Sequence, residues 1–178
     1  MIENQKCWFA ARTRDKQEFA VRKTLERLKA EENVDLEFYL PTKTIVTQLK
    51  YRRKKSEVPV VRNLIFIRAT KKTACDIPNV YGVSIFYMRD LSTRSMLVVP
   101  DKQMEDFMFL LDFSPDGIEI LNKDLKRGDK VRVIKGPLQG LKGELVRLRG
   151  HKRVVIRLEG VASIATSYIP GSFLERIE

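Results

Sequence analysis

Residues 130–145 read KVRVIKGPLQGLKGEL, two strand-like runs separated by a connection rich in glycine and proline. Glycine adopts positive φ without steric cost, and proline presets the φ of a turn. Gly136, Pro137, Gly140 and Gly143 are therefore predicted to shape a tight connection between two antiparallel strands rather than to bind a ligand.

Short strands with turn residues between them continue to the end of the sequence. They are predicted at residues 130–134, 143–148, 153–158, 163–168 and 173–177. Five short strands in about 55 residues fit a small closed β-barrel, because closure removes the unpaired edges of so small a sheet.

The first 110 residues mix helical and strand patterns. Val21, Leu25 and Leu28 repeat at helical spacing, and Asp15, three residues before Glu18, resembles a capping box at the start of that helix. Strands are predicted at 7–11, 36–41, 44–49, 58–67 and 80–86, and further helices at 71–76 and 100–111. This order predicts an α+β sandwich of helices on an antiparallel sheet. The predicted domains are 1–111 and 124–178, with a linker at 112–123.

Composition excludes several classes of function. Cys7 and Cys75 lie far apart in sequence, and His151 is the only histidine, so neither a metal site nor a cofactor is predicted. Neither a phosphate-binding loop nor a nucleophile motif is present, which argues against an enzyme. The start of the sequence lacks a signal-peptide pattern, and no apolar run reaches the roughly 18 residues that span a bilayer. We expect a soluble, cytoplasmic, monomeric protein with no membrane contact.

Charge is distributed in blocks around a formal net charge of +11. Residues 1–70 carry 16 Lys/Arg against 9 Asp/Glu, residues 71–123 carry 6 against 8, and residues 124–178 carry 12 against 6. Five of the six residues at 50–55 are cationic, which predicts a solvated hairpin tip. Two basic blocks that flank an acidic middle favour attraction to phosphate backbones.

Motifs along the whole chain resemble the NusG family of bacterial transcription factors. Residues 128–143 resemble the KOW motif, and the first part resembles the NGN domain of this family. The NGN resemblance rests on Trp8-Phe9 in the first strand, Pro41, the basic tip, the run 63–67 and the 99–102 entry into the last helix. The resemblance implies an NGN α/β sandwich followed by a five-stranded KOW barrel.

The resemblance also implies how the protein acts. Family members grip the RNA polymerase clamp through an apolar pocket on the NGN sheet and suppress pausing. Leu64 and Phe66 match pocket positions, and Phe9 is a predicted neighbour. At 61–64 this chain has Val-Arg-Asn-Leu where the family has an aromatic run with proline, so it resembles the specialised antiterminators of particular operons, including those for surface polysaccharides.

In that branch, the first helix and the hairpin tip contact non-template DNA. The matching cations of the helix region are Arg14, Lys16, Lys23 and Arg27. Those of the tip are Arg52, Arg53 and Lys54. Each can neutralise a phosphate, and an arginine can also read a guanine edge.

The KOW barrel of the family docks on a small-subunit ribosomal protein or on the termination factor Rho. Glu159 and Val161 occupy the matching strand, where the general factor has an exposed aromatic residue. The alternative interpretation is a ribosome- or RNA-associated KOW protein that acts in translation.

Overall fold

The computed structural model describes residues 4–113, 117–121 and 127–177. Its contacts divide the chain into two compact units, Met1–Pro100 and Asp101–Glu178. Within the segment predicted as a linker, Asp112 and Phe113 are helical and 119–121 form a strand, while 114–116 and 122 and 123 lie outside the described residues. The predicted domain limits themselves stay a prediction.

The first unit contains one main sheet, two helices and a separate hairpin. Its strands are β1 (Cys7–Thr13), β2 (Glu37–Tyr39), β3 (Thr42–Gln48), β4 (Arg53–Pro59), β5 (Leu64–Ala69), β6 (Ile85–Tyr87) and β7 (Val98–Val99). Its helices are α1 (Glu18–Glu31) and α2 (Lys71–Asn79). The main sheet runs β2-β5-β1-β6, with β7 also paired to β1, and every pairing is antiparallel. The predicted α+β class with antiparallel sheets is confirmed.

Strand β5 lies inside the sheet because its sequence is apolar on both faces. Residues 64–67 are Leu-Ile-Phe-Ile, and all four side chains are fully buried. Helix α1 presents Val21, Leu25 and Leu28 to one face of this sheet. Burying apolar side chains of this size stabilises by roughly 1.5–3 kcal/mol each, so this layer holds the unit together.

The turn between β4 and β5 corrects two predictions. The predicted strand 58–67 is two strands, because the chain turns at 60–63 and Asn63 adopts a left-handed φ of 58°. Glu18 does not close a capping box with Asp15. Instead its buried carboxylate accepts a 2.8 Å hydrogen bond from the backbone N–H of Asn63. A buried turn N–H needs a protein acceptor, whereas N–H groups at a solvated helix start can bond to water. The carboxylate therefore stabilises the fold more at the turn.

Strands β3 and β4 form a two-stranded hairpin that is not paired to the main sheet. The Leu49 N–H donates to the Arg52 carbonyl at 2.8 Å, which makes Lys50-Tyr51 the two residues of the turn. The predicted tip at 50–55 is therefore too long, since Arg53–Lys55 already belong to β4. The prediction of a strand at 80–86 is also too long, because β6 begins only at Ile85.

The second unit contains α3 (Asp101–Phe113) and a six-stranded antiparallel sheet. Its strands are β8 (Glu119–Leu121), β9 (Asp129–Val133), β10 (Lys142–Leu148), β11 (His151–Leu158), β12 (Ala162–Ala165) and β13 (Leu174–Arg176). Their order is β13-β9-β10-β11-β12-β8. The five predicted strands are present and β8 is additional. Among the described residues the two ends of this order are not paired, so the expected closed five-stranded barrel is not observed.

The β9–β10 connection needs glycines for its conformation, and the start of β10 needs one for space. Gly136 and Gly140 have φ of 85° and 93°, which side chains with a Cβ rarely adopt. At Gly143 an added Cβ would lie 2.6 Å from the Val155 carbonyl oxygen. The Gly140 N–H donates to the Val133 carbonyl at 2.8 Å, which closes the turn around Pro137.

Candidate functional site

The three predicted polymerase-binding side chains do not lie on one face of the sheet. Phe9 pairs with Ile67 and packs in the core beneath α1. Leu64 pairs with Arg12 and therefore lies on the opposite face with Phe66, since side chains alternate along a strand. Leu64 and Phe66 are fully buried and Phe9 is nearly so. The structure brings Leu64 and Phe66 together and separates Phe9 from them.

An exposed aromatic side chain continues the Leu64 face at the edge of the sheet. Arg12 pairs with Leu64 on one side and with Phe86 on the other, so the three residues form one row across β5, β1 and β6. Phe86 is 59 % exposed. Sequence reasoning missed it, because its place in this row depends on a strand register that the sequence does not state.

Cations cover the start and the outer side of α1. Arg14 and Lys16 lie in the turn between β1 and α1, and Lys23 and Arg27 are one helical turn apart on α1. All four are exposed. In the part of the chain that the structure describes, none of them forms an ion pair, so their charge is available to an anionic partner.

The hairpin carries its cations on both faces. In the β3–β4 register, Arg53 pairs with Gln48 and Lys54 with Thr47, so Arg53 and Lys54 point to opposite faces. Arg52 follows the turn, and Tyr51 beside it is 88 % exposed, with the Lys50 ammonium 5.4 Å from its ring centroid. A charged ribbon with an exposed aromatic tip is a surface that attracts nucleic acid or an acidic protein.

A bidentate ion pair joins this hairpin to α1. The Arg22 guanidinium donates to both Glu57 carboxylate oxygens at 2.8 and 3.1 Å, and the Thr42 hydroxyl donates to the same carboxylate at 2.7 Å. These hydrogen bonds, Arg22 first and Thr42 second, hold the pKa of Glu57 below its usual value. The bond to Glu57 correspondingly raises the pKa of Arg22. This ion pair therefore links the basic side of α1 to the basic hairpin.

The second unit contains a cavity of about 450 Å³ between α3 and its sheet. Charged side chains from α3, β9, β10 and β11 line it, including Lys102, Asp106 and Lys142. Burial raises the pKa of Asp106, and the Lys102 ammonium, 3.0 Å away, acts in the opposite direction. None of the predicted polymerase- or DNA-binding residues borders this cavity.

No cluster of three or more His, Cys, Asp or Glu side chains with metal-binding geometry occurs within 4–113, 117–121 and 127–177. Cys7 and Cys75 are both free thiols. Among these residues no helix is long and apolar enough to cross a membrane.

Comparisons with known proteins give one family match and several similar solved structures. The family model described as transcription termination factor nusG matches residues 6–108. A solved structure of Thermotoga maritima NusG superposes with a TM-score of 0.52 at 16 % identity, over 98 % of each chain, which is a likeness of fold. A structure of the MjSpt4:Spt5 complex has a TM-score of 0.36 at 14 % identity, over 96 % of this chain and 97 % of that one. No curated protein matches the sequence.

The match over 6–108, which includes the antiparallel sheet, its helices and the basic hairpin, places the chain in a class of transcription factors. The chain belongs to the NusG family, because the family model covers more than half of it. Members of this family are non-enzymatic transcription factors.

Proposed function

We propose that this protein binds RNA polymerase through its first unit and promotes processive elongation and antitermination on particular operons. The observation that carries the proposal is the family match over residues 6–108, which spans the whole main sheet and α1. The protein acts in the cytoplasm, without catalysis and without a cofactor, as a monomer.

The polymerase contact is assigned to the sheet face that carries Leu64, Phe66 and Phe86. Interfaces of this kind depend on a few apolar or aromatic anchors in a desolvated centre. Phe86 is the accessible anchor, whereas Leu64 and Phe66 are buried side chains of the same sheet face. Phe9, on the other face, supports the sheet from the α1 side.

The DNA contact is assigned to the α1 cations and the hairpin. Arg14, Lys16, Lys23 and Arg27 are exposed, as are Arg52, Arg53 and Lys54 of the hairpin. Non-template DNA exposed beside the polymerase supplies phosphates for these cations and base edges for the arginines. The ion pair between Arg22 and Glu57 supports this assignment, because it orients both basic surfaces together.

Specialisation for particular operons is inferred from the turn at 61–64. Asn63 is held in a left-handed conformation by Glu18 and by the Thr13 N–H, which donates to its carbonyl at 3.1 Å. Arg62 beside it is exposed, so the turn adds a cation near the Leu64 face instead of the family's aromatic run.

The second unit is proposed to act as a KOW-type module that docks on a small-subunit ribosomal protein or on Rho. The glycine-rich β9–β10 connection and the antiparallel order of its strands support the KOW assignment. Glu159 is engaged in an ion pair with Arg127, and Val161 is partly exposed.

In vitro transcription tests the proposal on a template with and without the leader of the protein's own operon. We expect the protein to raise read-through of a pause or terminator on the leader template. The triple variant Arg52→Ala, Arg53→Ala, Lys54→Ala should lose most of this effect. The control Lys71→Ala, Lys72→Ala removes two exposed cations of α2 and should keep it. Equal read-through with and without protein would contradict the proposal.

A further inference from the structure

Strand β8 covers the end of the second sheet with little burial of its own side chains. It pairs with β12 in a register that sets Glu119 opposite Ala165 and Leu121 opposite Ser163. The three side chains of β8 are only half-buried, and the sequence assigned this segment to a linker. β8 is therefore an added strand at the edge of the sheet that the other strands form.

The edge of β12 offers backbone hydrogen bonds toward β8. The Thr166 N–H, directly after β12, donates to the Val154 carbonyl of β11 at 2.9 Å. Because the N–H groups of an antiparallel strand point alternately to its two neighbours, those of Ser163 and Ala165 point to β8. Without β8 these groups would form an open edge, which is a template for pairing with a strand of another chain.

Two arginines favour an acidic residue in the strand that pairs with β12. The half-buried Arg153 guanidinium donates to one Glu119 carboxylate oxygen at 2.7 Å, and the exposed Arg149 lies 3.2 Å from the other. Charge-assisted hydrogen bonds of this kind add recognition of a carboxylate to the backbone pairing. The buried Nε of Arg153 has no acceptor among the residues that the structure describes, so β8 satisfies the site only in part.

We propose that β8 is a displaceable strand, which occupies the β12 edge until an extended segment of a partner protein replaces it. The partner segment adds to the sheet antiparallel to β12. Its sequence follows that of β8, with a carboxylate opposite Ala165 for the two arginines and aliphatic residues after it. β8 releases the edge because it is three residues long, half-buried and, in the described part of the sheet, bonded along one side. The inference rests on the proposed docking role of the second unit.

Amide hydrogen exchange, measured by NMR on the full chain, tests whether β8 can leave the sheet. Glu119→Lys places a cation against the two arginines and should expel β8. The Ser163 and Ala165 amides should then exchange at least about tenfold faster than in the unaltered protein. The Ile164 amide points to β11 and should keep its protection, because the rest of the sheet stays folded.

Glu159→Lys is the matched control, because it reverses the charge of another ion-paired glutamate of the same unit. It should leave the exchange of all three amides unchanged. Loss of Ile164 protection in Glu119→Lys would overturn the proposal, since β8 would then be an integral part of the fold. Unchanged exchange of the two amides that point to β8 would overturn it as well.

A peptide then tests the docking edge itself. The probe is acetyl-GIEILK-amide, which carries the sequence of residues 117–121 and one added lysine for solubility. Titrated into the Glu119→Lys protein, it should slow the exchange of the Ser163 and Ala165 amides again. The peptide acetyl-GIKILK-amide, which has lysine in place of the glutamate, should bind at least about tenfold more weakly.

The unaltered protein should also bind the first peptide at least about tenfold more weakly than Glu119→Lys does. The apparent Kd rises by the inverse of the fraction of molecules with a vacant edge, and β8 should leave less than about a tenth vacant. Equal binding to both proteins, or no binding to Glu119→Lys, would overturn the proposal. Neither measurement uses polymerase or transcription, so this inference and the proposed function fail separately.

Discussion

The hydrogen bond from the Asn63 N–H to Glu18 should be one of the strongest single polar contributions to the stability of the first unit. Its partners are 45 residues apart, 2.8 Å from each other, and the Glu18 side chain is 3 % exposed. A hydrogen bond to a carboxylate contributes about 1.5–3 kcal/mol, and a buried donor left without an acceptor costs about 1–3 kcal/mol. Glu18→Ala should therefore lower the free energy of unfolding by about 2 kcal/mol.

Urea denaturation followed by tryptophan fluorescence measures this directly, because Trp8 of β1 is the only tryptophan and reports on the first unit. Glu18→Gln keeps an oxygen acceptor and should lose less than half as much as Glu18→Ala. Asn63→Gly should be close to neutral, because the left-handed φ of 58° suits glycine, whereas Asn63→Val should destabilise by about 1–2 kcal/mol. A loss below about 0.5 kcal/mol for Glu18→Ala would refute the reasoning.

Three further results are expected. A double-mutant cycle with Arg22→Ala and Glu57→Ala should give a coupling of about 0.5–1 kcal/mol in urea titrations, typical of a bidentate surface pair, and no coupling would contradict an ion pair between the hairpin and α1 in solution. Gly143→Ala should destabilise the second unit by about 1–3 kcal/mol in calorimetry, because its Cβ would meet the Val155 carbonyl, and an unchanged melting temperature would argue against that close approach. Burial raises the pKa of Asp106, so the folded state binds the proton of this carboxyl group more tightly than the unfolded chain does. The free energy of unfolding therefore falls as pH rises through the folded pKa. Asp106→Asn should accordingly raise the melting temperature at neutral pH, with the gain shrinking as the pH is lowered toward about 4; a gain independent of pH would exclude titration of Asp106 as its cause.

Local patterns were sufficient to predict much of the fold. The spacing of Val21, Leu25 and Leu28 predicted α1, and the apolar run at 64–67 predicted a central strand, because both signals come from residues close in sequence. The glycines at 136 and 140 likewise mark a turn whose conformation only they adopt readily. The prediction of one strand over 58–67 was wrong, because apolar residues lie on both sides of the turn at Asn63 and the pattern does not show the turn between them.

The functional surfaces were harder to predict, since they depend on register between distant segments. Phe9 and Leu64 are both apolar residues in strands, and only the pairing of β1 with β5 shows that they face opposite ways. Phe86 joins Leu64 through β1. The charge run at 50–55 predicted a basic hairpin. The ion pair between this hairpin and α1 was not predictable, because it joins Glu57 to Arg22, 35 residues earlier in the sequence.

The binding of the full chain to purified RNA polymerase tests the central claim most directly. Fluorescently labelled protein should associate with the polymerase, and Phe86→Ala should weaken that association about tenfold or more without loss of stability, as expected for an exposed aromatic anchor. Val80→Ala removes another exposed apolar side chain of the first unit and should bind like the unaltered protein. Failure of the polymerase to retain the unaltered protein would contradict the proposal. If the Phe86→Ala variant binds polymerase as tightly as the unaltered protein does, the assignment of the Leu64 and Phe86 sheet face to polymerase binding is wrong.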